Sequence, residues 1–182
     1  MVASGGEERA WLRGAQAGSV ADLEALYRSH WPRAYRAAYL VVQDQAAAED
    51  IAQEAFLAAV RTLHRFDLRR PFGPWLHRIV VNRAIDWTRA RTLRREVGAD
   101  ALPAVPAAPE SAAARRSFSE DVTGALGSLS PEHRAVIVLR YLLEYTPGEI
   151  AGLLDLPRGT VNSRLRRGLD ELARGLGDVE ER

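Results

Sequence analysis

The stretch Tyr145-Thr-Pro-Gly-Glu-Ile-Ala-Gly-Leu-Leu-Asp-Leu-Pro-Arg-Gly-Thr-Val-Asn-Ser-Arg-Leu-Arg-Arg167 carries two helix starts separated by a short break. Thr146 followed by Glu149 is a capping box, and Pro147 suits the first helical position, so a short helix is predicted to begin here. The Asp-Leu-Pro sequence at 155–157 ends this helix, and a second helix begins directly after it. The pattern predicts two short helices joined by a tight turn.

The second helix of this pair is predicted to expose a basic and polar face. Val161 and Leu165 form its apolar stripe. The outward positions carry Arg158, Asn162, Ser163, Arg166 and Arg167. Residues 158–167 contain four arginines and no acidic residue, a composition typical of a helix-turn-helix unit that binds DNA. An ordinary helical hairpin with a solvated face is the alternative for this segment.

Charge is distributed unevenly along the chain. Its 182 residues suffice for one or two small domains, and the net charge is only +1, so binding to an acidic polymer depends on local asymmetry. Residues 61–95 contain ten arginines against Asp67 and Asp86, whereas residues 44–54 contain four acidic residues and no base. Every cation in the chain is arginine, which suits bidentate phosphate contacts, although a GC-rich genome produces the same bias.

Several classes of protein and site are not expected. The chain has no cysteine, which excludes disulfides, thiolate metal sites and thiol redox switches. It shows no signal peptide and no apolar run of membrane-spanning length, so a soluble, cytoplasmic protein without membrane insertion is expected. The sequence has no glycine-rich phosphate loop and no His–carboxylate pair at ligand spacing, so neither an enzyme nor a cofactor or metal site is expected.

Two helical blocks flank a segment that is poor in large apolar residues. Residues 96–117 hold three prolines and many alanines and cannot bury enough surface to offset their ordering entropy, so they are interpreted as a flexible linker. Neither strand-like alternation nor a repeat of fixed period occurs in the sequence. The expected fold is all-α, with a helical domain over residues 1–95 and a helix-turn-helix domain over residues 118–182.

Polar residues mark the helix starts in the first block. Ser19 with Asp22 is predicted to cap a helix that is interrupted at Pro32 and then continues. Asp44 is predicted to open the next helix, and a further one is predicted from near residue 73 to residue 94.

The basic block interleaves arginine with aromatic side chains. The arginines are Arg61, Arg65, Arg69, Arg70, Arg78, Arg83, Arg89, Arg91, Arg94 and Arg95, and the aromatic residues are Phe66, Phe72, Trp75 and Trp87. Cations hold phosphates and aromatic faces hold unstacked bases, so the pattern favours a surface for single-stranded or melted DNA. Asn82, Asp86 and Arg89 recur at helix spacing and would share one face. The alternative is a core role for the apolar residues with solvated arginines, and we expect Trp75 and Ile79 to be core residues.

The acidic segment 44–57 admits three interpretations. Glu49, Asp50 and Glu54 could ligate a metal, but no Glu-x-x-His pair accompanies them. The carboxylates could instead stabilise the helix start through its dipole. Finally, Asp50, Gln53 and Glu54 could form a polar docking face for a basic partner. The residue types alone do not separate the last two interpretations.

Four motifs follow one another along both blocks. They are Ala-Glu-Asp-Ile-Ala-Gln-Glu-Ala-Phe-Leu at 48–57, Phe-Gly-Pro-Trp-Leu-His-Arg-Ile-Val-Val-Asn-Arg-Ala-Ile-Asp-Trp-Thr-Arg at 72–89, Leu-Ser-Pro-Glu-His-Arg at 129–134, and the helix-turn-helix unit. In this order they resemble the extracytoplasmic-function sigma factors of bacterial RNA polymerase. The resemblance implies two domains. Sigma region 2 binds the clamp helices of the largest polymerase subunit and opens the −10 element, and sigma region 4 binds the flap tip and reads the −35 element.

The resemblance also implies roles for individual residues. Asp50, Gln53 and Glu54 match the motif that binds core polymerase. The implied −10 contacts, which include a pocket for a flipped base at loop 66–71, are Phe66, Asp67, Arg69, Arg70, Trp75, Asn82, Asp86 and Arg89. The implied −35 contacts are Arg158, Thr160, Asn162, Ser163, Arg166 and Arg167.

Two positions depart from the family pattern. Asp155 stands where glycine usually makes the turn, and the motif is expected to survive because Asp tolerates left-handed backbone better than most residues. Asn162 stands where similar sequences often have lysine, which bears on promoter preference. Many relatives carry a sensory C-terminal extension, whereas this sequence stops shortly after its last predicted helix, so control from outside by an anti-sigma factor is expected. The alternative function is a helix-turn-helix regulator that acts without core polymerase, which would leave the acidic motif unexplained.

Overall fold

The structure is a computed structural model, which describes residues 5–96 and 123–180. All regular elements within these ranges are helical, which confirms the all-α fold. No helix among the described residues is long and apolar enough to cross a membrane. The expected linker, residues 96–117, lies outside the described residues except for Glu96.

The described helices form two blocks. The first block contains α1 (Gly5–Gln16), α2 (Val20–Val42), α3 (Gln45–Thr62), a 3₁₀ turn (Leu63–Arg65) and α4 (Phe72–Glu96). The second block contains helical residues 123–128 (α5), α6 (Pro131–Ile137), α7 (Pro147–Leu154) and α8 (Arg158–Glu180). α6 continues into a π-helical turn, Val138–Leu142, where Leu143 N donates a hydrogen bond to Val138 O.

The predicted helix starts are confirmed. Ser19 Oγ accepts a hydrogen bond from Asp22 N at 3.2 Å, and Asp44 Oδ1 accepts one from a first-turn backbone N–H at 3.0 Å. At the start of α7, Thr146 Oγ1 accepts a hydrogen bond from Glu149 N, and the Glu149 carboxylate accepts one from Thr146 N. Each cap satisfies a backbone group that the helix itself leaves unpaired.

The turn between α7 and α8 depends on Asp155. Its backbone is left-handed, with φ 55° and ψ 48°, and its N–H donates to Ala151 O. Asp adopts this conformation more readily than most residues, so the turn forms without the usual glycine.

The expected interruption of α2 at Pro32 is wrong, because the helix runs unbroken from Val20 to Val42. Proline removes one backbone hydrogen bond, which weakens a helix interior. On both sides of Pro32, however, α2 buries residues against the core, including Leu26, Ala34 and Val41. Packing of this continuous face holds the helix together across the proline.

One continuous apolar core extends through both blocks. Its fully buried members include Leu12, Leu26, Val41, Leu76 and Val80 from the first block and Leu139, Ile150 and Val161 from the second. Hydrophobic burial therefore holds α6 against α2 and α4, and α7 against α4, in addition to stabilising each block.

Candidate DNA and polymerase interfaces

The acidic motif forms one exposed surface of α3. Asp50, Gln53 and Glu54 are exposed, whereas Ile51 and Ala55 face the core. Arg83 of α4 donates a 2.7 Å hydrogen bond to Glu54 Oε2, and the Glu54 side chain remains 64% exposed. Within residues 5–96 and 123–180, no group of three or more His, Asp or Glu side chains is arranged to hold a metal ion.

An apolar groove adjoins this acidic surface, and the sequence analysis missed it. The groove has a volume of about 450 Å³ and is lined by Val20, Leu23, Glu24, Tyr27, Gln53, Phe56, Leu57 and Val60. Val20 is 78% exposed and Leu57 is 51% exposed, and the groove brings these apolar side chains together in one patch at the surface. Leu57 and Val60 follow Gln53 at helix spacing, so the sequence did carry a signal for the α3 side of the groove.

Loop 66–71 is organised by Asp67. Asp67 Oδ1 accepts hydrogen bonds from the backbone N–H and the Nε of Arg69, each at 3.0 Å, and Asp67 O accepts one from Arg70 N. The hydrogen bonds from Arg69 hold the pKa of the Asp67 carboxyl below its usual value. The Arg69 side chain is therefore engaged with Asp67, while Arg70 lines the cavity described next.

A cavity of about 560 Å³ lies beside this loop. The Phe66 and Trp75 rings pack with centroids 4.7 Å apart and line it together with Asp67 and Arg70. Aromatic faces and cations around a cavity suit a base and its phosphate. The structure thus gathers Phe66, Asp67, Arg70 and Trp75 at one site, whereas Arg69 lines a neighbouring hollow.

Two residues of α1 support this loop, and the sequence analysis did not identify either. Gln16 Nε2 donates hydrogen bonds to Leu63 O at 2.8 Å and to Phe66 O at 2.9 Å. Glu8 Oε1 accepts a 3.0 Å hydrogen bond from Phe72 N and so caps α4. The side chain of His30, whose Nε2 lies 3.3 Å from Glu8 Oε2, lowers the pKa of Glu8. The hydrogen bond from the Phe72 backbone lowers it further, against the opposing effect of burial.

The middle of α4 presents a polar face. Asn82 is half-buried, and Asp86 and Arg89 are exposed. Arg89 lies 3.9 Å from Asp86 Oδ1, which agrees with the expectation that these residues share a face. Arg89 also pairs with Glu132 of α6 at 2.7 Å, a contact with the second block. Trp75 and Ile79, which we expected to be core residues, are half-buried and pack against the core from its edge.

The N-terminal part of α8 presents the polar stripe expected of a recognition helix. Val161 is fully buried and Leu165 is 9% exposed, so the apolar stripe faces the core. Arg158, Asn162, Arg166 and Arg167 are exposed. Thr160 and Ser163 are half-buried, and the Ser163 hydroxyl donates to Thr160 O at 3.0 Å, which engages both residues within the helix.

Family comparisons match both blocks of the chain. The family model for Sigma-70 region 2 matches residues 26–94, and the model for Sigma-70, region 4, matches residues 119–172. The chain is 34% identical over 175 residues to the ECF RNA polymerase sigma factor SigW of Bacillus subtilis, covering 87% of this chain and 89% of SigW. It is 33% identical over 160 residues to the RNA polymerase sigma factor CarQ of Myxococcus xanthus, covering 86% of this chain and 90% of CarQ.

Solved structures share the fold. CnrH, in its complex with the cytosolic domain of CnrY, superposes with a TM-score of 0.68 at 26% identity, covering 94% of this chain and 98% of CnrH. The sigma factor RpoE of Bartonella quintana, in complex with the anti-sigma factor NepR, superposes with a TM-score of 0.72 at 23% identity, covering 87% of this chain and 98% of RpoE.

Proposed function

The chain belongs to the extracytoplasmic-function sigma factors of bacterial RNA polymerase. On this premise we propose which of its surfaces bind core polymerase and which bind promoter DNA. The protein binds core RNA polymerase and directs promoter recognition, DNA melting and transcription initiation. The supporting observation is that one chain presents an acidic docking face, an aromatic cavity beside a basic helix and an exposed recognition helix. It acts in the cytoplasm, where polymerase and promoter DNA are found.

Core polymerase docks on α3. Asp50, Gln53 and Glu54 contact the clamp helices of the largest subunit, and the neighbouring groove receives apolar side chains of the same partner. The support is an exposed acidic face flanked by Val20 and Leu57, which are both more than half exposed. Interfaces commonly join an apolar centre to a polar rim. A DNA-binding regulator that acts without core polymerase does not need an acidic face beside an apolar groove.

The −10 element is opened and held by the loop and by α4. A flipped base enters the cavity beside Phe66 and Trp75, with Asp67 and Arg70 at its edge. Asn82, Asp86 and Arg89 contact the opened strand farther along α4. An aromatic partner of this kind favours base unstacking, because stacking on the ring offsets part of the lost stacking energy.

The −35 element is read by region 4, which also contacts the flap tip. The exposed stripe of Arg158, Asn162 and Arg166 faces the bases of the major groove, and Arg167 holds phosphate. Thr160 and Ser163 contribute contacts from the edge of this stripe. An anti-sigma factor is the proposed regulatory partner. The support for it is the fold shared with CnrH and RpoE, whose solved structures are complexes with other proteins.

Transcription reconstituted with core polymerase on a promoter library tests this function. The protein should co-purify with core polymerase and produce run-off transcripts from a defined subset of promoters. Asn82→Ala and Asp86→Ala should reduce permanganate-detected melting while polymerase association persists, and Thr92→Ala on the same helix serves as the control. Promoter binding and regulation without any core association would instead support the helix-turn-helix regulator.

A further inference from the structure

A second hollow lies beside loop 66–71, between the loop and α1. It has a volume of about 530 Å³ and is lined by Gly6, Arg9, Arg13, Leu68 and Arg69. Three of these residues are arginines, and none of the five lines the cavity beside Phe66 and Trp75, called the base cavity below. The proposed function gives α1 no contact with DNA, so the purpose of this basic hollow is open.

The two arginines of α1 are accessible to a ligand. Arg9 and Arg13 are both exposed and lie one helical turn apart on the same face. Arg13 Nε donates to Arg9 O at 3.4 Å, which leaves the two terminal nitrogens of its guanidinium outside this bond. In the part of the chain that the structure describes, neither side chain forms a salt bridge. Glu8, the acidic neighbour of Arg9, is engaged instead with His30 and with Phe72 N.

The third arginine of the hollow is oriented by Asp67. Arg69 Nε and Nη2 donate to the two carboxylate oxygens of Asp67 at 3.0 and 3.2 Å, so the pair is bidentate and leaves Nη1 outside it. The Arg69 side chain is 90% exposed at the rim of the hollow, whereas Asp67 itself lines the base cavity. Consecutive Cα atoms are about 3.8 Å apart, so the two sites are immediate neighbours on one loop.

The hollow lies at the N-terminal end of α4. Glu8, which precedes Arg9, accepts a hydrogen bond from Phe72 N at the start of this helix, and Trp75 of the base cavity follows within the first turn. Asn82 lies about 15 Å farther along α4 than Phe72, at 1.5 Å per residue. A strand that contacts the polar face of α4 and places a base in the cavity therefore reaches α1 next.

The residues of the hollow suit phosphate rather than a base. None of the described residues that line it is aromatic, in contrast to the base cavity with Phe66 and Trp75. Guanidinium groups bind phosphate oxygens through charge-assisted and often bidentate hydrogen bonds. Asp67 compensates the charge of Arg69 but leaves that of Arg9 and Arg13 to attract an anion.

We propose that Arg9 and Arg13, together with Arg69, bind the DNA backbone next to the flipped −10 base, on the side away from the nucleotides at Asn82 and Asp86. The inference rests on the proposed function of loop 66–71. It gives a DNA-binding role to α1, which lies outside residues 26–94 that match the Sigma-70 region 2 model. With the backbone held on both sides of the cavity, the flipped base is less free to return to the stack.

The salt dependence of promoter binding tests this proposal. The full chain is assembled with core polymerase and bound to a fluorescein-labelled promoter from the library assay, in which mismatches hold the −10 region open. The slope of log affinity against log salt concentration then reports the number of phosphate contacts. The test variant is Arg9→Ala/Arg13→Ala. The control, Arg36→Ala/Arg174→Ala, removes the same charge from exposed positions on α2 and α8.

The test variant should lower the magnitude of this slope by about 0.7 for one lost single-strand phosphate contact and by about 1.4 for two. The control variant should leave the slope unchanged, and Arg9→Lys/Arg13→Lys should largely restore it because lysine keeps the positive charge. Polymerase pull-down should be equal for all variants, and thermal melting verifies that each is folded.

A second measurement locates the contact along the DNA. Uncharged methylphosphonates replace single phosphates of the opened region, one position at a time. Positions where this weakens binding by the wild type but not by Arg9→Ala/Arg13→Ala mark the phosphates held by α1. They should lie on the opposite side of the flipped base from the positions identified in the same way with Arg89→Ala.

Equal slopes for the test and control variants would overturn the proposal, as would phosphates of α1 and Arg89 on the same side of the base. Loss of polymerase association with an unchanged slope would assign Arg9 and Arg13 to a protein contact instead. Phe66→Ala separates these failures from failure of the proposed function. If it abolishes melting while the α1 variant behaves like its control, the −10 assignment stands and the role of α1 is wrong. If Phe66→Ala leaves melting unchanged, the assignment of the cavity is wrong, and the placement of the hollow beside a flipped base falls with it.

Discussion

At the scale of the residue, we propose that single exposed side chains on α3 contribute to binding a partner rather than to the stability of the fold. We predict that Gln53→Ala changes the free energy of unfolding by no more than about 0.5 kcal/mol, because Gln53 is exposed, but weakens binding to core polymerase. Thermal melting and a polymerase pull-down measure the two effects. Gln45→Ala, at an exposed glutamine of the same helix outside the motif, is the control. Equal polymerase binding by both variants would remove Gln53 from the docking face.

Gln16, by contrast, contributes to the stability of the fold. Its side-chain amide holds two carbonyls around the turn that leads into loop 66–71. We predict that Gln16→Ala lowers the free energy of unfolding by about 1–3 kcal/mol, since two partly buried acceptors lose their donor. Promoter melting should fall while polymerase binding persists. Permanganate footprinting with Gln45→Ala as control tests this, and unimpaired melting by a measurably destabilised Gln16→Ala would show that the loop does not depend on this support.

At the scale of the element, we propose that α8 uses different residues for base reading and for phosphate binding. We predict that Arg158→Ala or Asn162→Ala changes the preferred −35 bases, at about 1–3 kcal/mol per lost base contact. Arg167→Ala should weaken binding to all promoters by a similar factor. It should also reduce the slope of log affinity against log salt concentration by about one unit. Promoter activity across all single-base changes of the −35 element measures base preference, and promoter binding at several salt concentrations measures the salt dependence, with Arg174→Ala as control. Uniform losses for Arg158→Ala and Asn162→Ala would contradict a base-reading role.

At the scale of the whole molecule, we expect His77 to make the free energy of unfolding depend on pH. It faces Tyr145 from the second block and His30 and Arg33 from α2, and its Nε2 is buried with no hydrogen-bond partner among the described residues. Burial lowers the pKa of His77 to about 4, with smaller contributions from His30 and Arg33. The unfolded chain, with a pKa near 6.5, therefore binds more protons below that pH.

We predict that the free energy of unfolding falls as the pH drops from about 6.5 towards about 4, by about 3 kcal/mol at most. His77→Phe should remove this part of the pH dependence, whereas His64→Gln, at an exposed histidine, should leave it intact. Denaturant unfolding of the three proteins across this range measures the effect. Parallel pH profiles for wild type and His77→Phe would show that His77 does not titrate in this way. Glu8 and Asp44, whose pKa values are also lowered, contribute equally to all three proteins.

The sequence alone was sufficient for features that depend on neighbours three or four residues apart. The caps at Ser19, Asp44 and Thr146 involve backbone groups within one helical turn, so residue type and spacing predict them. The buried stripe of Val161 and Leu165 follows from helix periodicity in the same way. The order of motifs was enough to indicate the family, which the comparisons confirm.

Only the tertiary structure decided which distant groups meet. Gln16 reaches Phe66 across 50 positions, His77 reaches Tyr145 across 68, and Arg134 reaches Val41 across 93. No local pattern specifies such partners, because they depend on how whole helices pack. The same packing keeps α2 helical across Pro32, although proline disfavours a helix interior. It also places α7 beside the cavity next to Phe66. Local hydrogen bonding determined the helices, and burial of apolar surface across both blocks determined how the binding surfaces are arranged.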